Sequence, residues 1–201
     1  MNTTTSSRKL TLDDIADLRA YERERDAFRA HVIAKRKLRR VTLGPVITVS
    51  FENRETMRYQ IQEMVRVEKT MTDEGVQEEL NAYNPMVPEP GQLCATVFVE
   101  LTTDAQVREW LPKLAGLENA VSIRLADGSV VAGKVDAAHA AGLTRDDVTA
   151  AVHYLVFDFS AAQVEQFRTG PVTLQCTLGA YPETAEIPDT ARGELVTDLL
   201  P

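Results

Sequence analysis

The run Phe51 to Glu68, FENRETMRYQIQEMVRVE, holds the side chains whose types and spacing best suit chemistry. Set on a helix at 100° per residue, Met57, Ile61 and Met64 form an apolar stripe flanked by Val65 and Val67. Glu68 falls inside that stripe, and Gln60 lies at its edge. An acid among apolar neighbours has a raised pKa, which suits proton transfer or metal ligation; the alternative is an acid in the last helical turn that points into water. Tyr59, Glu63 and Arg66 share a different face, with Glu63 and Arg66 at the i,i+3 spacing of an ion pair. That face is a solvated surface, an interface or a pocket wall. Glu52 and Arg54 flank the helix start, where Asn53 is the expected cap, and are placed to pair with basic residues upstream or acids downstream.

A second centre is His153, which begins a strand beside Tyr154. It is either a satisfied structural histidine or the partner of Glu63 and Glu68 in a small acid–base site holding a single metal ion. Asp136-Ala-Ala-His139 is the chain's nearest approach to the Glu-x-x-His pair of diiron helices, and it occurs once. Cys94 and Cys176 lie far apart and form no CxxC motif; buried, apolar-like thiols are expected. The chain contains no GxSxG, Walker loop, HExxH or glycine-rich dinucleotide fingerprint.

The elements that must position these groups can be read in outline. Residues 1–10 read as a disordered tail. Thr11 and Asp14 have the spacing of a capping box, and no Gly or Pro interrupts residues 10–40, so a helical arm is expected, as one kinked helix or two. Tyr21, Phe28, Val32 and Ile33 are its apolar members. Val41 to Phe51 is β-rich, with a turn or bulge at Gly44-Pro45. The polar helix follows to about Lys69, and then a short helix over TDEGVQEELNAYN. Pro85, Pro88, Pro90 and Gly91 suggest a boundary, dividing the chain into 11–88 and 89–201 unless the two form one integrated domain. Beyond it, TVFVELTTDAQVREWL resembles HYLVFDFSAAQVEQF. Each is a β-rich run, a hydroxyl cap (Thr103, Ser160), Ala-Gln-Val and an aromatic (Trp110, Phe167), followed by further strands. Asp127-Gly128 marks a hairpin. The expected fold is α+β: a helical N-terminal arm and helix–strand unit, then a duplicated β-α-β-β body forming an antiparallel or mixed sheet. A terminal helix, PDTARGELVTDLL, would dock through Leu195, Leu199 and Leu200.

Charge adds a constraint. The 201 residues carry a formal net charge of −8, yet residues 1–40 hold 11 Lys and Arg against 6 acids, about +5, leaving about −13 for the rest. A basic arm docking on an acidic body, in its own chain or in a twin's, follows, and with it a homodimer. Nucleic-acid binding through Lys35, Arg36, Lys37, Arg39 and Arg40 is disfavoured, because no aromatic residues interleave the run and the remaining charge repels phosphate. No run approaches the roughly 20 apolar residues of a membrane span. The unpaired cysteines and a start without a signal-like apolar segment indicate a cytoplasmic protein.

The segments AFRAHVIAKRKLRRV, GPVITVSFENRETMRYQIQEMVRVE, NAYNPMVPEPGQLCATVFVEL, the His153-Tyr154 strand and PDTARGEL together resemble a bacterial family catalogued only as a domain of unknown function. Genes of that family often lie beside those of rubrerythrin-type diiron proteins and iron-sulfur oxidoreductases. The resemblance implies an accessory role in redox or peroxide chemistry and assigns no catalytic residue. The leading expectation is therefore a cytoplasmic accessory or interaction protein serving a rubrerythrin-like or iron-sulfur partner through its polar helix and basic arm. The rival is a small metal-dependent or acid/base enzyme using Gln60, Glu63, Glu68 and His153.

Overall fold

The computed structural model describes residues 8–135 and 149–201; Asp136 and His139, with most of the connector around them, lie outside the described residues. A 3-10 turn at Leu12–Asp14 carries the Thr11/Asp14 capping box. The arm proper is α1, Leu18–Leu38, capped by Asp17, whose side chain accepts from the amides of Arg19 and Ala20. The arm is thus a turn and one helix. Residues 8–10 are no tail. Arg8 donates to the Asp198 carbonyl at 2.6 Å, Lys9 to the Val87 carbonyl at 2.6 Å, and Leu10 is buried.

β1 (Arg40–Leu43) turns back through Gly44-Pro45 into β2 (Ile47–Glu52). Gly44 has φ +67°, a left-handed conformation that favours glycine, and Tyr181 and Glu183 crowd the space a side chain would need. α2 (Arg54–Glu68) starts at Asn53, which with Thr56 forms a reciprocal cap, and ends at Lys69 in the left-handed region. α3 (Asp73–Tyr83) follows. Then come β3 (Gln92–Val99), α4 (Asp104–Lys113), β4 (Val121–Arg124) and β5 (Val130–Val135). β6 (Val152–Asp158), α5 (Ala161–Thr169), β7 (Thr173–Leu178), β8 (Tyr181–Glu186) and α6 (Asp189–Leu199) complete the chain. Among the described residues the order β-α-β-β occurs twice after Gly91. Thr103 and Ser160 each cap their helix reciprocally with a glutamine three residues on, Gln106 and Gln163.

The eight strands form one antiparallel sheet in the order β1-β2-β3-β6-β5-β4-β7-β8, curled into a nearly closed barrel. At the seam the Tyr181 hydroxyl donates to the Leu43 carbonyl at 2.7 Å and accepts from the Val46 amide at 3.1 Å. The sheet crosses the expected division near residue 88. β2 pairs with β3 from Ile47↔Val99 to Glu52↔Cys94, and the Gly91 amide donates to the Leu199 carbonyl while its own carbonyl accepts from Phe159. The prolines therefore bend the chain within a single sheet.

Strand alternation builds two layers. Val49, Phe51, Ala95, Val97, Leu155 and Phe157 point into the large core, which α5 and α6 close with Phe167, Ala191, Leu195 and Leu199, and Leu114 closes just past the end of α4. Leu200, expected to dock, is exposed. On the opposite face Cys94, Tyr154 and Val156 meet a second cluster of Met57, Ile61, Val65, Leu80 and Met86 under α2 and α3. Both cysteines are buried, one in each layer. Among the described residues no helix is long and apolar enough to cross a membrane.

Candidate functional site

The polar face of α2 is spent on α1. Glu63 takes a two-point clamp from Arg25, Nε to Oε1 and Nη2 to Oε2 at 2.8 Å each, and a 2.7 Å bond from the Tyr21 hydroxyl. Arg66 adds the i,i+3 contact at 3.5 Å. The Arg25 bonds outweigh partial burial and hold the Glu63 carboxyl down at about 2, so it stays ionised and serves no proton transfer near neutrality. Burial and the Glu63 carboxylate push the Tyr21 phenol well above its usual range. Tyr59 packs edge-on to Phe28, 5.8 Å between centroids, with the Arg36 guanidinium over its ring. This face is neither solvated nor an open wall; α1 covers it.

Glu68 does not sit in the core stripe. The buried line runs Met57-Ile61-Val65 with Thr56 and Gln62 beside it, Met64 is only half-buried, and Glu68 is exposed in the last turn. Its charge is felt by Glu79, whose carboxyl is raised first by burial and then by Glu68 and Glu78. Gln60 is half-buried. The amide that matters is Gln62, fully buried, which accepts from the Ala16 amide at 2.6 Å and donates to the Ala16 carbonyl, tying the segment before α1 to α2. Arg54 pairs upstream with Asp14 at 2.6 Å.

His153 does not share a face with α2. It alternates with Leu155 and Phe157 on the core side of β6, whereas α2 packs over Tyr154 and Val156 on the other side. The expected composite of His153 with Glu63 and Glu68 is therefore divided by the sheet. The His153 Nε2 lies 2.7 Å from the Thr149 Oγ1 and 3.0 Å from the Ala150 carbonyl, which can only accept. Nδ1 faces Glu118 at 4.0 Å. Burial lowers the imidazole pKa and outweighs the Glu118 charge. Among the described residues no three His, Cys, Asp or Glu side chains converge as a metal-ligand set.

What the fold does assemble is a cleft of about 280 Å³ between the end of α1 and the sheet. Ile33, Arg36 and Lys37 of α1 form one wall; Arg40 of β1, Ser50 and Glu52 of β2 and Phe98 of β3 form the other. Arg40, Ser50 and Thr96 are register partners across β1, β2 and β3. Glu52 is only 2% exposed. Its Oε1 accepts from the Thr96 hydroxyl at 2.8 Å, while Oε2 has no hydrogen-bond partner among the described residues and stands 3.8 Å from Arg36 Nη2. A buried carboxylate oxygen without a donor costs free energy, about 1–3 kcal/mol or more for a charged group, unless something fills the gap. Arg36 Nε is likewise buried without a hydrogen-bond partner among the described residues. Arg40 is turned toward Glu100 at 2.9 Å and its guanidinium lies over Phe98. Arg39, fully buried, fastens the position of Glu52 from behind. It donates to the Phe51 carbonyl at 2.9 Å and the Glu52 carbonyl at 3.1 Å, and pairs with Glu194 and Asp198 of α6.

The basic run is thus divided. Lys35 bridges Glu55 and Glu194, Arg39 is interior, and Arg36, Lys37 and Arg40 surround the cleft. Thr96, Ser50 and Phe98 were absent from the sequence candidates. Their signal was the period-two alternation of Thr48, Ser50 and Glu52 in one strand against Thr96 and Phe98 in another.

Comparison with known families places the chain as a whole. A family described as "Protein of unknown function (DUF3501)" matches residues 9–199. The chain belongs to this family. A crystal structure of a novel protein of unknown function from Burkholderia pseudomallei K96243 is similar to it, with 35% identity and a TM-score of 0.87, over 95% of this chain and 99% of that one. No curated protein matches. The fold is therefore shared with that protein along nearly the full length of both chains.

Proposed function

We propose that this DUF3501 protein is an accessory binding protein whose ligand site is the cleft between α1 and β1–β3, and that its ligand is a small organic anion. The observation that carries this reading is Glu52. A carboxylate withdrawn from solvent, with one oxygen satisfied by Thr96 and the other unbonded, is held beneath three cationic side chains in a cavity near the lower edge of ligand-pocket volumes. The resemblance noted in the sequence adds the setting, in which the ligand-loaded protein serves a diiron or iron-sulfur redox partner. The enzyme reading has less support, because Glu63 is clamped, Glu68 faces water and His153 lies across the sheet. Docking of the arm within its own chain also weakens the charge argument for a twin-chain assembly.

The test is thermal-shift and calorimetric titration with small mono- and dicarboxylates and inorganic phosphate. Saturable binding that weakens on Lys37→Ala supports the reading; indifference to every anion sinks it. The redox setting is tested separately by sedimentation of the protein mixed with a purified rubrerythrin, where independent sedimentation at tens of micromolar removes that half alone.

A further inference from the structure

The lining of the cleft asks for two kinds of chemistry at once, and this narrows the ligand class; the argument rests on the cleft being a binding site. Arg36, Lys37 and Arg40 offer only donors and positive charge, with Arg40 shared with Glu100 at 2.9 Å. Glu52 Oε2 offers only acceptance, and its neighbours leave it unsatisfied. Thr96 donates to Oε1, and Arg36 stays at 3.8 Å from Oε2, an ion-pair distance beyond a hydrogen bond. Tyr154 stands close enough that the Glu52 charge contributes to raising its phenol pKa, after burial and Tyr83. A plain anion would satisfy the cations and leave Oε2 bare, and would also face its negative charge. A cation would satisfy Oε2 and be repelled by the three basic groups.

We propose that the occupant is a small organic acid carrying its own hydrogen-bond donor, a hydroxyl or ammonium group placed a few bonds from the carboxylate. The acid group lies between Lys37 and Arg40, toward the open side, and the donor reaches Oε2 at the buried end. Phe98 and Ile33 cover the carbon skeleton between them. The fixed orientation of Glu52, set by Thr96 in front and by Arg39 on its backbone behind, makes the acceptor pre-organised, so little ordering is needed on binding. Discrimination follows from the cost of leaving a buried acceptor unpaired, so the analogue without the donor is the one rejected.

Three dicarboxylates of one carbon skeleton separate the terms: succinate has no donor, malate has a hydroxyl and aspartate an ammonium. Calorimetry on the full chain is expected to show malate or aspartate binding at least tenfold tighter than succinate. Which of the two wins tells whether a neutral or a charged donor meets Glu52. Glu52→Gln is expected to bring the preferred ligand within about twofold of succinate, and Lys37→Ala to weaken all three together. Should Glu52→Gln fail to fold, Thr96→Val, which frees the carboxylate to rotate, is expected to erode the same preference. Equal affinities for the three in the unmodified protein overturn the donor requirement and leave the anion site standing. Failure of all three, and of inorganic phosphate, overturns both this inference and the binding function.

Discussion

At the scale of single residues, the decisive fact is that two glutamates on neighbouring elements have opposite fates. Glu63 is saturated, accepting from Arg25 twice and from Tyr21 once. Its carboxyl falls from 4.5 to about 2, so its contribution to stability is fully present above pH 4.5 and is lost as pH falls toward 2. Glu63→Gln is expected to cost about 2 kcal/mol in urea unfolding at pH 7, a figure reduced for partial exposure. The gap to the unmodified protein should narrow steadily below pH 4.5; a gap constant from pH 7 to 3.5 would show that the ionised clamp is not its source. Glu52 is the reverse case, buried and half-satisfied, and polarity alone could not tell the two apart. Both are glutamates in a polar run, and their difference lies in Arg25 and Thr96, distant in sequence. Glu68 carries the same lesson: a helical wheel marks it as interior, but α2 ends there and leaves it exposed.

Among elements, α1 does most of the organising. It covers the polar face of α2, supplies one wall of the cleft, and passes through Arg39 directly into β1. Arg39 is the joint, bonding to two carbonyls at the end of β2 and to two acids of α6. Arg39→Ala is expected to cost about 3–5 kcal/mol, because it strands the buried Asp198 as well as removing bonds. Amide exchange should accelerate first in α6 and at the β2–α2 junction; acceleration spread evenly over the chain would argue against a local joint. The helices themselves were legible: Asn53, Thr72, Thr103 and Ser160 each cap a helix through a side chain, because capping is a local interaction. The orientation of α2 was not. It depends on α1 and α3 lying on either side of it, and amphipathicity gives no sign of a neighbour that brings its own polar groups.

For the whole molecule, the sheet joins the first strands to the last. β1 and β8 meet at the seam, and Tyr181 spans it with two hydrogen bonds to the β1–β2 turn. Tyr181→Phe is expected to lower stability by about 1–2 kcal/mol, leaving a buried carbonyl and amide short of a partner. Hydrogen exchange should rise in β1 and β8 while the central β3 and β6 stay protected; unchanged exchange at both edges would show that the seam closes without Tyr181. The helix starts at Thr103 and Ser160 were legible from the recurring cap and Ala-Gln-Val pattern. The joining of β2 to β3 across the prolines was not, since chain punctuation marks bends and does not distinguish a linker from a corner of one sheet. For the same reason His153 and the α2 acids, plausible partners on paper, are set on opposite faces of β6.

By itself the sequence determined the local chemistry. It set where helices begin, which strand residues alternate, and that the first forty residues are basic and the body acidic. Only the tertiary structure decided which of those groups meet. Periodicity states which residues share a face, whereas burial, charge neutralisation and the unfilled oxygen of Glu52 depend on what long-range strand pairing and α1 place against that face. The cleft is a product of that placement, lying one element away from the helix whose composition first suggested a site.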